Sequence, residues 1–151
     1  MVYSASKPHV MAESELEAGR YLVLIGGCQN CHTPGWEFNP GKIPEALWLT
    51  GTSLGWRGPW GTTYPSNLRL YVQKYDEEAF LLICHENQFR PPMPGYDLMS
   101  MSDQDLIALY RYIKSLGPAG VEAPAYLPHG QQPTGPVVDF PAPPPDGMMK
   151  H

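Results

Sequence analysis

The sequence predicts an all-α domain of three to four helices joined by long loops, followed by a proline-rich C-terminal extension. Three observations carry that prediction. Capped segments with apolar residues at helical spacing stand near residues 13–26, 76–87 and 103–116. The stretch between the first two holds many Gly, Pro, Thr and Trp with little periodicity. From residue 118 the chain carries nine prolines in 34 residues and few charges, which no helix or sheet interior accepts. The organisation follows: an arm over 1–11, a domain over 12–117 and an extension over 118–151.

The first helix, "ESELEAGRYLVLIG", starts behind Glu13 or Ser14 with acids in its first turn, and Gly26-Gly27 stops it. Its apolar side reads as Leu16, Tyr21, Leu22, Leu24 and Ile25. Gly19 in mid-helix costs about 1 kcal/mol against Ala, so it marks either simple tolerance or a close helix crossing. The second helix, "DEEAFLLICHEN", takes Asp76 as its cap and puts Phe80, Ile83 and Cys84 on one face. Cys84 on that face reads as a buried free thiol. The third helix is capped by Ser102, with Asp105 at the capping-box position. Its stripe is Leu106, Leu109, Tyr110, Ile113 and Leu116, and Gly117-Pro118 end it.

Residues 33–72 read as a long loop region that contains all four tryptophans, Trp36, Trp48, Trp56 and Trp60. A loop of that length in a compact domain is unusual unless it wraps something, and an aromatic-rich coil suits a large apolar ligand. In the extension, Tyr126, Leu127, Val137, Val138 and Phe140 are the residues able to pin it to the core.

The 151 residues, 42% of them hydrophobic, suffice for one folded domain. A net charge of −5 with ten scattered basic residues argues against nucleic acid as the main partner. No apolar run of 18 residues is present, so no membrane span is expected. The first 19 residues lack the apolar core of a signal peptide. Three cysteines are too few, and odd in number, for a secreted disulfide scaffold.

The chemistry concentrates in "GGCQNCHTPG", residues 26–35. Cys28 and Cys31 stand three apart and His32 follows directly. A redox dithiol, half of a zinc site and a haem anchor all use such a pair. The dithiol wants a βαβ setting, and no strand is expected before the motif. Zinc wants a second ligand pair, and the remaining candidates, Cys84 and His85, are adjacent and over fifty residues away. Haem c fits the spacing: two thiols add across the two vinyl groups from one turn, and the next residue offers its imidazole to the iron. The candidate sixth ligand is Met93 in "RPPMPG", where flanking prolines restrict the backbone and present the thioether at a fixed depth. Met99 and Met101 are rivals, Met101 immediately before the helix cap. His9, His85, His129 and His151 are weaker. Pro34, Pro40 and Pro44 are candidate sources of the carbonyl that accepts the His32 Nδ1 proton. Arg57, Trp60, Tyr64 and Asn67 are candidates for haem propionates, against a plain reading as turn and surface residues.

With those residues in order, the chain resembles a class I c-type cytochrome. More narrowly, it is similar to small periplasmic monohaem cytochromes and to cytochrome subunits of membrane-associated dehydrogenases. The matching pieces are "GRYLV", "GGCQNCHTP", "WLTG", "GTTYPSNL", "RPPMPG" and "MSDQDLIALYRYIKSLGP", over about residues 18–118. The resemblance implies a cytochrome c fold around one covalent haem, attached by Cys28 and Cys31, with His32 proximal and Met93 distal. It implies that the first and last helices cross near Gly19. It also implies a one-electron carrier and no catalysis of its own, with a dehydrogenase, terminal oxidase or reductase as redox partner. A periplasmic location is implied too, with the signal or anchor absent from this chain. A dedicated dehydrogenase subunit with the extension as docking strap is the alternative. If Met93 does not ligate, a five-coordinate haem would suit a peroxidase or gas sensor.

Overall fold

The computed structural model describes residues 7–141. His151, the first half of the arm and the last ten residues of the extension lie outside the described residues. The fold is mainly helical with a small sheet: α1 (Glu15–Ile25), α2 (Cys28–His32), β1 (Gly55–Gly58), β2 (Gly61–Thr63), α3 (Leu68–Lys74), α4 (Glu77–Glu86), α5 (Gly95–Ser100), α6 (Asp103–Leu116) and β3 (Val137–Asp139). The all-α expectation is therefore corrected. Residues 33–72, expected as loop, hold β1, β2 and the start of α3, and the extension contributes β3.

Local chemistry explains the three anticipated helices. Ser14, Asp76 and Ser102 are their N-caps, each side chain accepting from the amide three residues on. Asp105 makes only half of a capping box, because its carboxylate accepts from Val10 N, 2.9 Å away, across the fold. The arm is not loose where it is described: Lys7 Nζ also donates to the Met99 carbonyl at 3.0 Å.

The core is built on the α1–α6 crossing. Ala18, Gly19, Leu22 and Val23 form the buried face of α1, while Leu16, Tyr21, Leu24 and Ile25 are exposed. Of the apolar side expected for this helix only Leu22 is inside. The small pair Ala18-Gly19 decides the face, since it lets α6 approach closely. A Cβ on Gly19 would lie 2.5 Å from Tyr112 Cβ and 2.8 Å from the Ala108 carbonyl carbon. From α6, Leu106, Ala108, Leu109, Tyr110, Tyr112 and Ile113 are buried, and Phe80 and Cys84 of α4 join them. Trp36 and Trp48 pack edge to face, 5.8 Å between ring centroids, as the aromatic wall of the core.

Arg69 closes the far end of α6. Buried in α3, it donates Nε to Gly117 O at 2.7 Å, Nη1 to Ala46 O at 2.6 Å and Nη2 to Leu116 O at 2.5 Å. The last carbonyls of a helix lack intrahelical partners, and a cation there also opposes the helix dipole.

The sheet order is β2-β1-β3, with β1–β2 antiparallel and β1–β3 parallel. Its short edge strand β3 comes from proline-rich chain, which is where such sequence tolerates pairing. The extension is laid on the domain over 119–140. Asn67 Nδ2 donates to Ala119 O and Val121 O at 2.7 and 3.1 Å. Thr62 and Leu127 exchange backbone hydrogen bonds of 2.8 and 3.0 Å. Arg57 holds Asp139 through two bonds of 2.6 and 3.1 Å.

Candidate functional site

The CxxCH sequence folds as a single helical stretch, α2, entered through Gly27 in the left-handed region at φ 72°. Cys28 and Cys31 are half-buried free thiols on that turn. Burial pushes Cys28 up to about 11, and burial followed by the nearby Glu37 charge raises Cys31. A redox dithiol works through a depressed thiol, so the environment runs against that chemistry. Among the described residues no three His, Cys, Asp or Glu side chains converge on a metal-sized site. Cys84, 2% exposed in α4, is a buried free thiol as expected. His85 pairs with Asp103 at 2.6 Å.

Gln29 turns inward between the cysteines and accepts from the Thr33 hydroxyl. Thr33 Oγ1 in turn accepts from Leu49 N at 2.8 Å. Gly51 N donates to the His32 carbonyl at 2.8 Å. These bonds fix the turn against the segment 49–51 before any ligand is considered.

His32 is buried, and its Nδ1 lies 2.8 Å from the Ser66 carbonyl. A carbonyl can only accept, so Nδ1 carries the proton and the lone pair sits on Nε2. Burial lowers the imidazole below its usual range, against the opposing pull of that hydrogen bond. A neutral ring with a fixed tautomer is the ligating form. The acceptor is not one of the three prolines expected from sequence; it comes from 34 residues downstream. Gly51, at φ 79°, makes the approach possible: a Cβ there would lie 2.9 Å from the Ser66 carbonyl carbon and 2.7 Å from Asn67 N.

Met93 is half-buried in the turn Arg90–Gly95, where Met93 N donates to Arg90 O at 3.2 Å and Gly95 N to Met93 O at 2.9 Å. The same short stretch that holds His32 also holds this turn. Thr63 Oγ1 donates to Pro91 O at 2.6 Å, and Ser66 accepts from His32. Three residues span at most about 11 Å, so both candidate iron ligands are tethered to one segment. Met99 is 42% exposed on α5, and Met101 is half-buried just before the α6 cap.

The donor set fits a c-type haem: two thiols on one turn, a neutral imidazole with Nε2 as its basic nitrogen, and a thioether on a proline-stiffened turn. The expected propionate partners are largely engaged elsewhere. Arg57 is paired with Asp139, and Trp60 Nε1 donates to Thr63 Oγ1 at 2.6 Å. Asn67 is buried, caps α3 and binds the extension. Tyr64 sets its ring against Gly55. Spacing could not reveal these pairings, because three of them join segments far apart in the chain or a turn of unanticipated geometry. Among the described residues no helix is long and apolar enough to cross a membrane. Comparison with family models, curated proteins and solved structures returned no match to this chain.

Proposed function

We propose that this chain is a monohaem c-type cytochrome with the cytochrome c fold, acting as a one-electron carrier. Cys28 and Cys31 would hold the haem as thioethers, His32 Nε2 would be the proximal ligand and Met93 sulfur the distal one. The observation that carries the reading is the His32 Nδ1–Ser66 hydrogen bond, directly behind a CxxC turn. It commits one ring nitrogen as donor and leaves the other as the ligating atom. When bound, haem supplies an Fe(III)/Fe(II) couple whose potential the axial ligands set. His32, held by Ser66, is a stronger donor than a freely turning ring. A Met93 thioether on the iron would favour Fe(II) and raise the potential relative to a second histidine. With both residues holding the iron no substrate would reach it, so the proposed role is outer-sphere transfer between redox partner proteins, with no catalysis of its own. In bacteria attachment of this kind occurs outside the cytoplasmic membrane, so the proposed location is the periplasm, where a dehydrogenase, terminal oxidase or reductase would be its partner.

The deciding experiment is a reduced pyridine haemochrome spectrum with haem-to-protein stoichiometry. One covalent haem per chain is expected. A chain matured with the haem-attachment machinery that carries zinc or no haem overturns the proposal. A high-spin spectrum with immediate carbon monoxide binding would instead favour the five-coordinate peroxidase or gas-sensor reading.

A further inference from the structure

The C-terminal extension is laced to the turn that carries Met93. The Arg90 guanidinium carbon lies over the Tyr126 ring, 3.7 Å from the ring centroid. Tyr126 Oη donates to the Trp60 carbonyl at 2.5 Å. Trp60 Nε1 donates to Thr63 Oγ1 at 2.6 Å, and Thr63 Oγ1 donates to Pro91 O at 2.6 Å. The paired amides of Thr62 and Leu127 set Tyr126 in register beside β2. Gly61 leaves it room, since a Cβ there would come within 3.0 Å of Tyr126 Oη.

Arg90 and Pro91 open the turn that closes on Met93. Pro91, Pro92 and Pro94 have no N–H to donate, so the turn has few bonds of its own. Its fixed shape then depends on what grips it from outside. Two grips are present, and they meet at the hairpin: Thr63 on the Pro91 carbonyl and Tyr126 on the Arg90 side chain.

We infer that Thr63 and Tyr126 are positioning residues for Met93, and that the extension is a brace holding the distal ligand. The inference rests on the haem reading above. It gives the proline-rich extension a role inside its own domain: restrained chain loses little entropy on docking and so makes a stiff strap. Releasing either grip lets the thioether leave the iron more often, and an external ligand then enters faster.

The test uses the full-length ferric holoprotein and its near-infrared methionine-to-iron band, together with the association rate of cyanide. Thr63→Val removes the hydroxyl and keeps the shape. Tyr126→Ala removes the ring and its hydrogen bond, and Tyr126→Phe removes the hydrogen bond alone. Arg57→Gln releases the extension at β3, away from the turn, and is the control. Thr63→Val and Tyr126→Ala should each bind cyanide about tenfold faster, the worth of one well-made hydrogen bond, with a weakened band and unchanged haem content. Tyr126→Phe should fall between, and Arg57→Gln should match the parent. Unchanged rates and band in folded Thr63→Val and Tyr126→Ala overturn the inference, as does equal acceleration in Arg57→Gln. If Tyr126→Ala does not fold, Thr63→Val and Tyr126→Phe decide. Failure of the haem reading looks different: the parent protein itself lacks covalent haem or the methionine band.

Discussion

Gly19→Ala inverts the rule that alanine is the better helix former. Propensity alone predicts a gain of about 1 kcal/mol. The added Cβ would stand 2.5 Å from Tyr112 Cβ and 2.8 Å from the Ala108 carbonyl carbon. Carbon atoms prefer about 3.5–4.0 Å, so the shortfall is about 1 Å. Neither neighbour can swing aside, because one is backbone and the other is fixed to it. The helices α1 and α6 must therefore separate. A gap of that size forfeits about a quarter to a half of each contact's dispersion energy along the crossing. Leu22 and Val23 are worth about 1.5–3 kcal/mol each in burial, so the repacking loss with overpacking strain is about 3 kcal/mol. Net of propensity, the variant should be about 2 kcal/mol less stable. The melting temperature should fall by about 4–8 °C for a chain of this size. Urea unfolding with an unchanged slope would confirm a native-state effect. Gly35→Ala is the companion: Gly35 has φ 75° and nothing within 4 Å, so it should lose about 1 kcal/mol from backbone conformation alone. A Gly19→Ala protein as stable as the parent would refute the close crossing.

Arg69→Met should cost about 2–3 kcal/mol, because it strips three part-buried carbonyls of one charged donor; Arg69→Lys should rescue little, since one ammonium cannot reproduce the fork, and urea midpoints of both variants check this. Cys84, pushed up to about 12 by burial, should react with a thiol reagent only after unfolding. The unfolded holoprotein should then show one thiol of the three cysteines, and a count of three would mean that no thioethers formed. The Asp139 carboxylate lies below its ordinary 3.8 because it accepts from Arg57. Its contribution to holding β3 is thus present above 3.8 and lost as pH falls through the lower folded value. An NMR titration should show Arg57→Gln returning Asp139 to the ordinary range.

The features legible in the sequence are those whose cause lies within a few residues. Ser14, Asp76 and Ser102 cap helices by bonding to the amide three positions on, so each start could be read locally. The α6 stripe held because a long amphipathic helix reports its own buried side. The face of α1 did not, because Gly19 and Ala18 carry almost no hydropathy signal, and what buries them is a partner over eighty residues away. The strands escaped for a related reason: β1 and β2 are short and rich in Gly and Thr, β3 is three residues long, and none has an alternating pattern to detect. At the site, the thiols and imidazole were visible as a spacing, while the group that orients His32 was not. A main-chain carbonyl leaves no trace in residue identity, and three nearby prolines were no guide to a segment brought in from residue 66.

That same hydrogen bond has an evolutionary consequence. Ser66 offers only its backbone, so almost any side chain could stand at 66 and leave the imidazole as it is. The selective burden falls instead on Gly51, which has no side chain to contribute and yet allows the two segments to meet. Homologous chains should drift at 66 and stay glycine at 51, an inheritance of backbone path in place of an inheritance of chemistry.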